Sequence, residues 1–297
     1  MKQTSITEEE FLKNFDSSKF TNPSISVDNI LFTIREQENE NYRKLPKKSL
    51  QLLMVRRNEH PYQNMWSLPG TFVQMNETLD DCAIRCLKEK THLNDIYLEQ
   101  LYTFGDLNRD PRTRVISCTY MSLMDSTKLN TKAGRNVSSV DFFTVHTENT
   151  EPMIKKTKRG NISTFTTTLT LQNHDTTLTA SIETKRELVD TRNITTYRIV
   201  HSDAIAFDHA KAIVYALDRL KNKVEYTDIA FSLMPSVFTL TDLQKCYEIL
   251  LNKPLLTANF RRKIAHMVTE TDQMEIGAGH RPSKLFTFNP NWHTDVF

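Results

Sequence analysis

Apolar and polar positions change their spacing several times along this chain, and each change predicts an element. Thr7-Glu8-Glu9-Glu10 runs into Phe11-Leu12, the pattern of a short capped amphipathic helix. Ile25, Val27, Ile30, Phe32 and Ile34 then predict a strand, and Leu50 to Val55 a second, largely apolar one. The charged stretch from Glu36 to Lys48 between them reads as a loop, as does His60 to Pro69. From about Thr78 to Thr91, Leu79, Ala83 and Leu87 recur at helical spacing and share one face. Val115 to Leu123 and Val140 to Val145 return to strand texture, so this half predicts a mixed α/β domain.

Between about 147 and 200 the chain turns to Thr- and Asn-rich alternation. Phe165, Leu169 and Leu171 precede the turn Gln172-Asn173-His174-Asp175, and Leu178, Ala180 and Ile182 follow it. This predicts a β-hairpin or small meander that extends the first sheet. It carries no catalytic constellation, and two roles stay open for it, structural elaboration and a subunit contact. After Ala206 the periodicity is helical. Ala212, Val214, Leu217 and Leu220 mark one helix, Asp242 to Leu251 a second, and Thr257 to about Val268 a third. Gly277-Ala278-Gly279, between two strand-like runs in Gln273 to Phe288, predicts a hairpin.

Length and charge narrow the picture. With 297 residues the chain accommodates about two domains with their own cores. The formal net charge is only +2, so any basic surface must be local. Cys82, Cys86, Cys118 and Cys246 form no CxxC pair and no His cluster, which suggests neither zinc nor a disulfide framework and predicts reduced thiols. The start is acidic and helical rather than an apolar signal core, and no apolar run is long enough to span a bilayer. A cytoplasmic protein with no membrane partner is expected.

The run from Gly70 to Leu93 resembles the Nudix box, whose family pattern is Gly, five residues, Glu, seven residues, then Arg-Glu-apolar-x-Glu-Glu-x-Gly-apolar. Glu77, Arg85, Leu87, Glu89 and Leu93 match in register, and the lead-in Trp66-Ser67-Leu68-Pro69-Gly70 is typical of that family. Thr71 stands at the first Gly, Cys86 at the first helical Glu, Lys90 at the last Glu and His92 at the last Gly. Residues 86, 89 and 90 lie three and four apart, so they share a helical side. In Nudix hydrolases that side carries the carboxylates that hold divalent ions. Magnesium demands hard oxygen ligands, and a neutral thiol is a poor one. An ammonium about 4 Å from the ion costs roughly 4 kcal/mol per unit of like charge at an effective dielectric of about 20. Glu77, Arg85 and Glu89 are therefore expected to hold loop and helix in shape, with no catalytic residue and no metal. Taken alone, those three also fit ordinary ion pairing on a helix surface.

A second run, Leu101 to Val115, resembles the segment after the box in ADP-ribose-type Nudix proteins. Arg109, Arg112 and Arg114 lie near Phe104, a set suited to a diphosphate and a stacked base. The plainer alternative is a charged turn in which Asp106 and Asp110 neutralise the arginines.

The C-terminal third predicts a DNA-binding module. Thr239-Leu240-Thr241-Asp242 is a capped helix start, and Asn252-Lys253-Pro254 breaks that helix. In the helix from Thr257, Phe260, Ile264 and Met267 point inward, while Thr257, Ala258, Arg261, Arg262 and Ala265 face out. Two short helices, a basic second helix and a Gly-containing hairpin make a winged helix-turn-helix. The basic residues 245, 253, 261, 262 and 263 stand against Glu248 alone, so this patch is locally about +4. Thr257, Asn259, Arg261, Arg262 and Lys263 are the expected contacts of the helix with double-stranded DNA, and His280, Arg281 and Lys284 those of the wing. A three-helix interaction module with a solvated basic face is the alternative.

The runs 219–231, Leu233-Met234-Pro235, 238–244, Asn259-Phe260-Arg261-Arg262-Lys263-Ile264 and Gly279-His280-Arg281-Pro282 are similar to the Nudix-related transcriptional regulators of NAD metabolism. With the N-terminal match the resemblance covers most of the chain, least securely from 147 to 200. It implies an α+β protein: a Nudix-type α/β/α sandwich with a β-rich extension, then an α-helical winged helix-turn-helix domain. The boundaries expected are a helical arm 1–24, a Nudix-like sensing domain 25–146, the extension 147–204, the winged helix 205–290 and a tail 291–297. The function implied is a homodimeric repressor of NAD synthesis or salvage genes, with no cofactor and with ADP-ribose or a related nucleotide as effector. An active ADP-ribose pyrophosphatase and a sugar-responsive regulator on the same architecture remain alternatives.

Overall fold

The computed structural model describes residues 7–36, 48–91, 97–129, 137–275 and 282–292. A capping box opens α1 (Glu8–Asn14), with Thr7 and Glu10 exchanging side-chain and backbone hydrogen bonds. Strand β1 (Ser24–Glu36) is buried along most of its length because it lies inside the sheet with both faces covered. It pairs antiparallel with β2 (Lys48–Arg57) and parallel with β6 (Val115–Leu123). The short β3 (Trp66–Ser67) and β4 (Gly70–Phe72) pair with β2 and β1 and set the entry to α2 (Leu79–Thr91).

β5 (Tyr97–Phe104), which the periodicity did not reveal, edges the sheet beside β6, with an irregular register between Gln100 and Tyr102. On the other side follow β7 (Val137–Asn149), β8 (Met153–Thr157), β9 (Gly160–Gln172), β10 (Thr177–Val189) and β11 (Arg192–Asp203). The order is β11-β10-β9-β7-β2-β1-β6-β5, with β8 alongside β9. The Thr-rich segment is thus part of the same sheet.

Successive residues of β1 and β2 point to opposite faces, and the two faces are covered differently. Leu31 and Leu53 meet Leu87 of α2 and Phe142. Ile30, Phe32, Leu52 and Met54 face the other way, into a core shared with α3 (His209–Lys223) and the C-terminal helices. α3 packs on β9, β10 and β11, so it covers the second face of the sandwich as well as leading to the C-terminal unit.

That unit contains a 3-10 turn at Ile229–Leu233, β12 (Phe238–Thr239), α4 (Leu240–Leu251), α5 (Thr257–Ile264), β13 (Val268–Glu275) and β14 (Ser283–Phe288). The Thr239 side chain caps α4 by accepting from the Asp242 N–H, and Asn252 ends it in the left-handed region at φ 51°. α5 is shorter than its spacing suggested. It passes through a 3-10 turn, Ala265–Met267, because Val268 already pairs with Phe288 as the first residue of β13. The three-stranded sheet runs β12-β14-β13. The Gly277-Ala278-Gly279 tip lies outside the described residues. All four cysteines are free and buried. Among the described residues no helix is long and apolar enough to cross a membrane.

Candidate ligand cavity and nucleic-acid interface

Asp28 is a carboxyl in the middle of an apolar strand, and its surroundings are built to receive it. Ser117 Oγ of β6 donates to Asp28 Oδ2 at 2.5 Å, and Arg109 Nη2 donates to the same oxygen at 3.3 Å. Arg109 also grips Asp208 with two bonds of 3.1 and 2.9 Å. Burial by itself would lower the Arg109 pKa, but the two acids outweigh it and raise it, so the guanidinium stays charged. His209, at the start of α3, accepts from the Leu68 N–H through Nδ1 at 3.0 Å, so that nitrogen carries no proton. Burial also lowers its pKa, and the neutral ring faces Asp28 Oδ1 from 3.6 Å. Gly70 is required here by close approach, since a Cβ would lie 2.1 Å from Asp28 Oδ1.

Above this cluster opens a cavity of about 280 Å³, walled by Arg57, Thr71, Phe72, Lys90, Arg112 and Phe207, with Asp28, Arg109 and His209 at its floor. Arg112 forms a bidentate pair with Asp110 at 3.0 and 2.7 Å and lies 5.3 Å from the Phe72 ring centroid. Arg57 lies 4.9 Å over Phe207 and donates to the Pro61 carbonyl at 2.7 Å. Burial, then Arg112, lowers its pKa. Neither Arg57 nor Lys90 has a carboxylate partner among the described residues. Glu59 and Asp110 also line the cavity, so with Asp28 three acids stand against Arg57, Lys90, Arg109 and Arg112, and the small excess of positive charge beside aromatic rings suits a phosphorylated ligand with a planar group.

The box residues form a brace beside the cavity. Glu77 accepts from Arg85 at 2.7 and 2.6 Å and from the Gln74 N–H at 2.8 Å, and the Arg85 hydrogen bonds hold its pKa down to about 2. Arg85 also donates to Glu89 at 3.3 Å and to the Phe72 carbonyl at 3.1 Å. Residues 86, 89 and 90, expected to share a helical side, are put to three uses. Cys86 is sunk in the core, where burial pushes its thiol up to about 12. Glu89 turns to Arg85, and Lys90 reaches the cavity.

Of the expected ligand contacts, Arg109 and Arg112 line the cavity. Phe104 does not: it is packed in an aromatic cluster with Tyr102 and Tyr215. Arg114 is also set apart, because its guanidinium closes the loop by donating to Gly105 and Asp106 carbonyls at 2.8 and 2.9 Å. Asp110 does neutralise Arg112, whereas Asp106 pairs with Lys211. Asp28, Arg57, Phe207, Asp208 and His209 were not anticipated. The signal available for Asp28 was an acid inside an apolar strand run, which burial forces to find partners.

In the C-terminal unit Thr257, Asn259, Arg261, Arg262 and Lys263 all lie on the exposed side of α5, while Phe260 and Ile264 are buried. Arg262 donates to Asn259 Oδ1 at 3.2 Å, and Lys263 sits 5.9 Å from the Tyr247 ring. Lys284 on β14 pairs with Glu270 on β13. His280 and Arg281 lie outside the described residues.

A Nudix-type sandwich that shares its core with a helix-turn-helix and wing defines a class, the Nudix domain fused to a winged helix. Comparison with known proteins agrees. The chain matches the NUDIX domain over residues 43–164 and the NrtR DNA-binding winged helix domain over residues 230–288. The ADPR responsive transcriptional repressor NtrR of Acinetobacter baylyi is 30% identical over 286 residues, which span 95% of this chain and 88% of that protein. An ADP-ribose pyrophosphatase of Methanocaldococcus jannaschii is 28% identical over 124 residues, 42% of this chain and 63% of that one. The crystal structure of Shewanella oneidensis NrtR complexed with a 27mer DNA superposes with a TM-score of 0.59 at 25% identity, covering 91% of this chain and 95% of that one. A MutT/nudix family protein from Enterococcus faecalis shares the fold, with a TM-score of 0.67 at 24% identity over 96% of this chain and 94% of its own. The chain belongs to the NtrR (NrtR) family of Nudix-related transcriptional regulators.

Proposed function

We propose that this protein is a cytoplasmic, homodimeric transcriptional repressor of NAD synthesis or salvage genes whose hold on DNA answers to ADP-ribose or a closely related nucleotide. The observation that carries this reading is the cavity with Arg57, Lys90 and Arg112 around it and the first turn of α3 as part of its floor. A diphosphate is drawn to the cations, and Phe72 and Phe207 offer faces for a base. Phe207 and His209 stand at the entrance to α3, whose far end ties to the sheet through Lys223 and Glu99 and whose continuation is the winged helix. A ligand that binds one position of α3 better than another shifts the DNA-binding population by that difference in affinity. In the dimer, two copies of α5 would read half-sites about one or more helical turns apart.

The hydrolytic metal of Nudix enzymes does not fit these residues. A buried Cys86 thiol with its pKa at about 12 stays protonated, Glu89 is held by Arg85, and Lys90 brings a positive charge to the place an ion would occupy. That is the donor set of a binder rather than a pyrophosphatase. The relative of Methanocaldococcus jannaschii keeps the enzymatic reading in view, and a turnover assay with ADP-ribose and magnesium or manganese separates the two: rates of an ordinary enzyme would refute ours. The positive test is a thermal-shift screen with ADP-ribose, NAD and simple sugars, followed by titration of the stabilising compound into a protein–DNA complex. ADP-ribose should raise Tm in the wild type and much less in Lys90→Ala. Stabilisation by a sugar alone would favour the sugar-responsive alternative.

A further inference from the structure

The long strands β9 and β10 outrun the sheet they belong to. β7 pairs with β9 only from Thr144 opposite Gln172 to Asn149 opposite Thr167. Residues 160–166 of β9 continue beyond that, about 23 Å of strand at roughly 3.3 Å per residue, flanked by β8 and by the second half of β10. The tip of this arm is built rather than frayed. Thr157 Oγ1 donates to the Gly160 carbonyl at 3.0 Å, and the Asp190 N–H of the neighbouring turn donates to the Arg159 carbonyl at 2.8 Å. Gly160 has φ 153°, and a Cβ there would lie 1.9 Å from the Leu188 carbonyl oxygen, so only glycine lets the two turns meet.

The tip is strongly basic. Between Met153 and Asn161 stand Lys155, Lys156, Lys158 and Arg159 and no acid, all four exposed. Arg159 reaches Asp190 at 3.7 Å, whereas the three lysines have no carboxylate partner among the described residues. Register fixes where this charge is carried. Gln51 of β2 lies opposite Thr144, so Lys48, at the start of β2, lies at the same end of the sheet as Asn149. Lys48 bonds Asp242 of α4 at 2.9 Å, and a cavity there is bounded by Lys48, Asn149, Thr167, Ile249 and Asn252. The ligand cavity lies at the other end, beside Arg57 and Asp28. The winged helix and the basic arm therefore leave the sheet at one end, with the base of the arm beside the turn that leads into α5.

From this juxtaposition we infer that the β8–β9 tip is a second DNA contact, in which Lys155, Lys156 and Lys158 lie against the phosphate backbone flanking the segment read by α5. The inference rests on the proposed DNA-binding function. Contacts of lysine with phosphate carry no sequence information but add affinity and salt dependence. The patch therefore serves hold rather than choice.

The test uses the full-length protein and the duplex it selects from genomic DNA, once with its native flanks and once trimmed to the segment protected by the winged helices. Lys155→Gln/Lys156→Gln/Lys158→Gln should bind the flanked duplex roughly tenfold more weakly near 150 mM salt, with the slope of log K against log salt flattened by about 2 to 3. Binding to the trimmed duplex should stay as in the wild type, and hydroxyl-radical protection of the flanks should be lost. The triple Lys→Arg variant, which keeps the charge, should retain both. Unchanged affinity and slope on the flanked duplex would overturn the inference. So would equal loss on both duplexes, or a change in sedimentation with flank protection intact, which would assign the tip to folding or to self-association. A wild-type protein that binds no duplex would instead defeat the DNA-binding reading itself, and Arg261→Ala/Arg262→Ala serves as the control that separates the two.

Discussion

Charge is handled in opposite ways at the two ends of the main sheet. Around Asp28 the charged groups are buried and bonded to each other: Arg109 is shared between Asp28 and Asp208, and Ser117 and His209 close the remaining sides. On α5 and at the β8–β9 tip they are exposed, and Arg261, Lys155, Lys156 and Lys158 have no acidic partner among the described residues. Buried charge must be neutralised where it stands and so fixes shape, while free surface charge is left for a polyanion to neutralise. The cavity stands between these limits, with a neutralised floor and, in its walls, Arg112 paired with Asp110 but Arg57 and Lys90 without a carboxylate partner among the described residues. On the function proposed above, an anionic ligand in this cavity would act on the first turn of α3.

The sharpest way to break the comparison is Arg109→Ala. It leaves Asp28 and Asp208 buried without their cation, and unfolding free energy should fall by about 3–5 kcal/mol in denaturant titrations. Arg109→Lys should recover part of that, because one ammonium cannot make the paired bonds to Asp208. A change below about 1 kcal/mol in the alanine variant would mean the cluster is solvated and is not a fixed joint. The matching change at the other end, Arg261→Ala/Arg262→Ala, should leave Tm within a degree or two while weakening operator binding by about 2–4 kcal/mol in fluorescence anisotropy. Wild-type affinity at physiological salt would remove α5 from its recognition role. Gly70→Ala comes next: its methyl meets an Asp28 carboxylate that Ser117 and Arg109 keep from rotating away, and a loss of about 1–3 kcal/mol is expected. Equal stability of this variant would show that Asp28 is free to move.

Periodicity made the elements legible where one face is buried and the other wet. α2 and α4, and the inward Phe260 and Ile264 of α5, follow their spacing closely. β5 escaped because its edge position leaves most of its residues exposed or half-buried, so no alternation is enforced. The box was legible as a motif, and its spacing did place Glu77, Arg85 and Glu89 in one network. The cavity was legible only in part. Arg109 and Arg112 announced themselves by density of charge, but Phe104 and Arg114 in the same run were claimed by local needs, an aromatic cluster and a loop closure. Asp28, Arg57 and His209 are about 30 to 180 positions apart in the chain, and only the pairing of β1 with β2 and the return of the chain to α3 bring them together. No local pattern encodes that meeting.

The brace of Glu77 and Arg85 gives the finest test, because it is partly exposed and yet strongly coupled. The Arg85 bonds hold the Glu77 carboxyl at about 2, below the usual glutamate value of about 4.3. A carboxyl whose folded pKa is depressed stabilises the folded state above its unfolded pKa, and that contribution drains away as pH falls through the window from about 4.3 to about 2. Glu77→Gln should therefore melt below the wild type at neutral pH, and the two melting curves should converge as the buffer is taken through that window. The variant should still bind ADP-ribose, since Glu77 touches the loop and α2 but does not line the cavity. A difference in Tm that persists unchanged at about pH 2 would mean that hydrogen-bond geometry rather than charge maintains the brace. In that case the Nudix loop would belong with the wholly buried, shape-fixing cluster at Asp28 rather than between the two extremes.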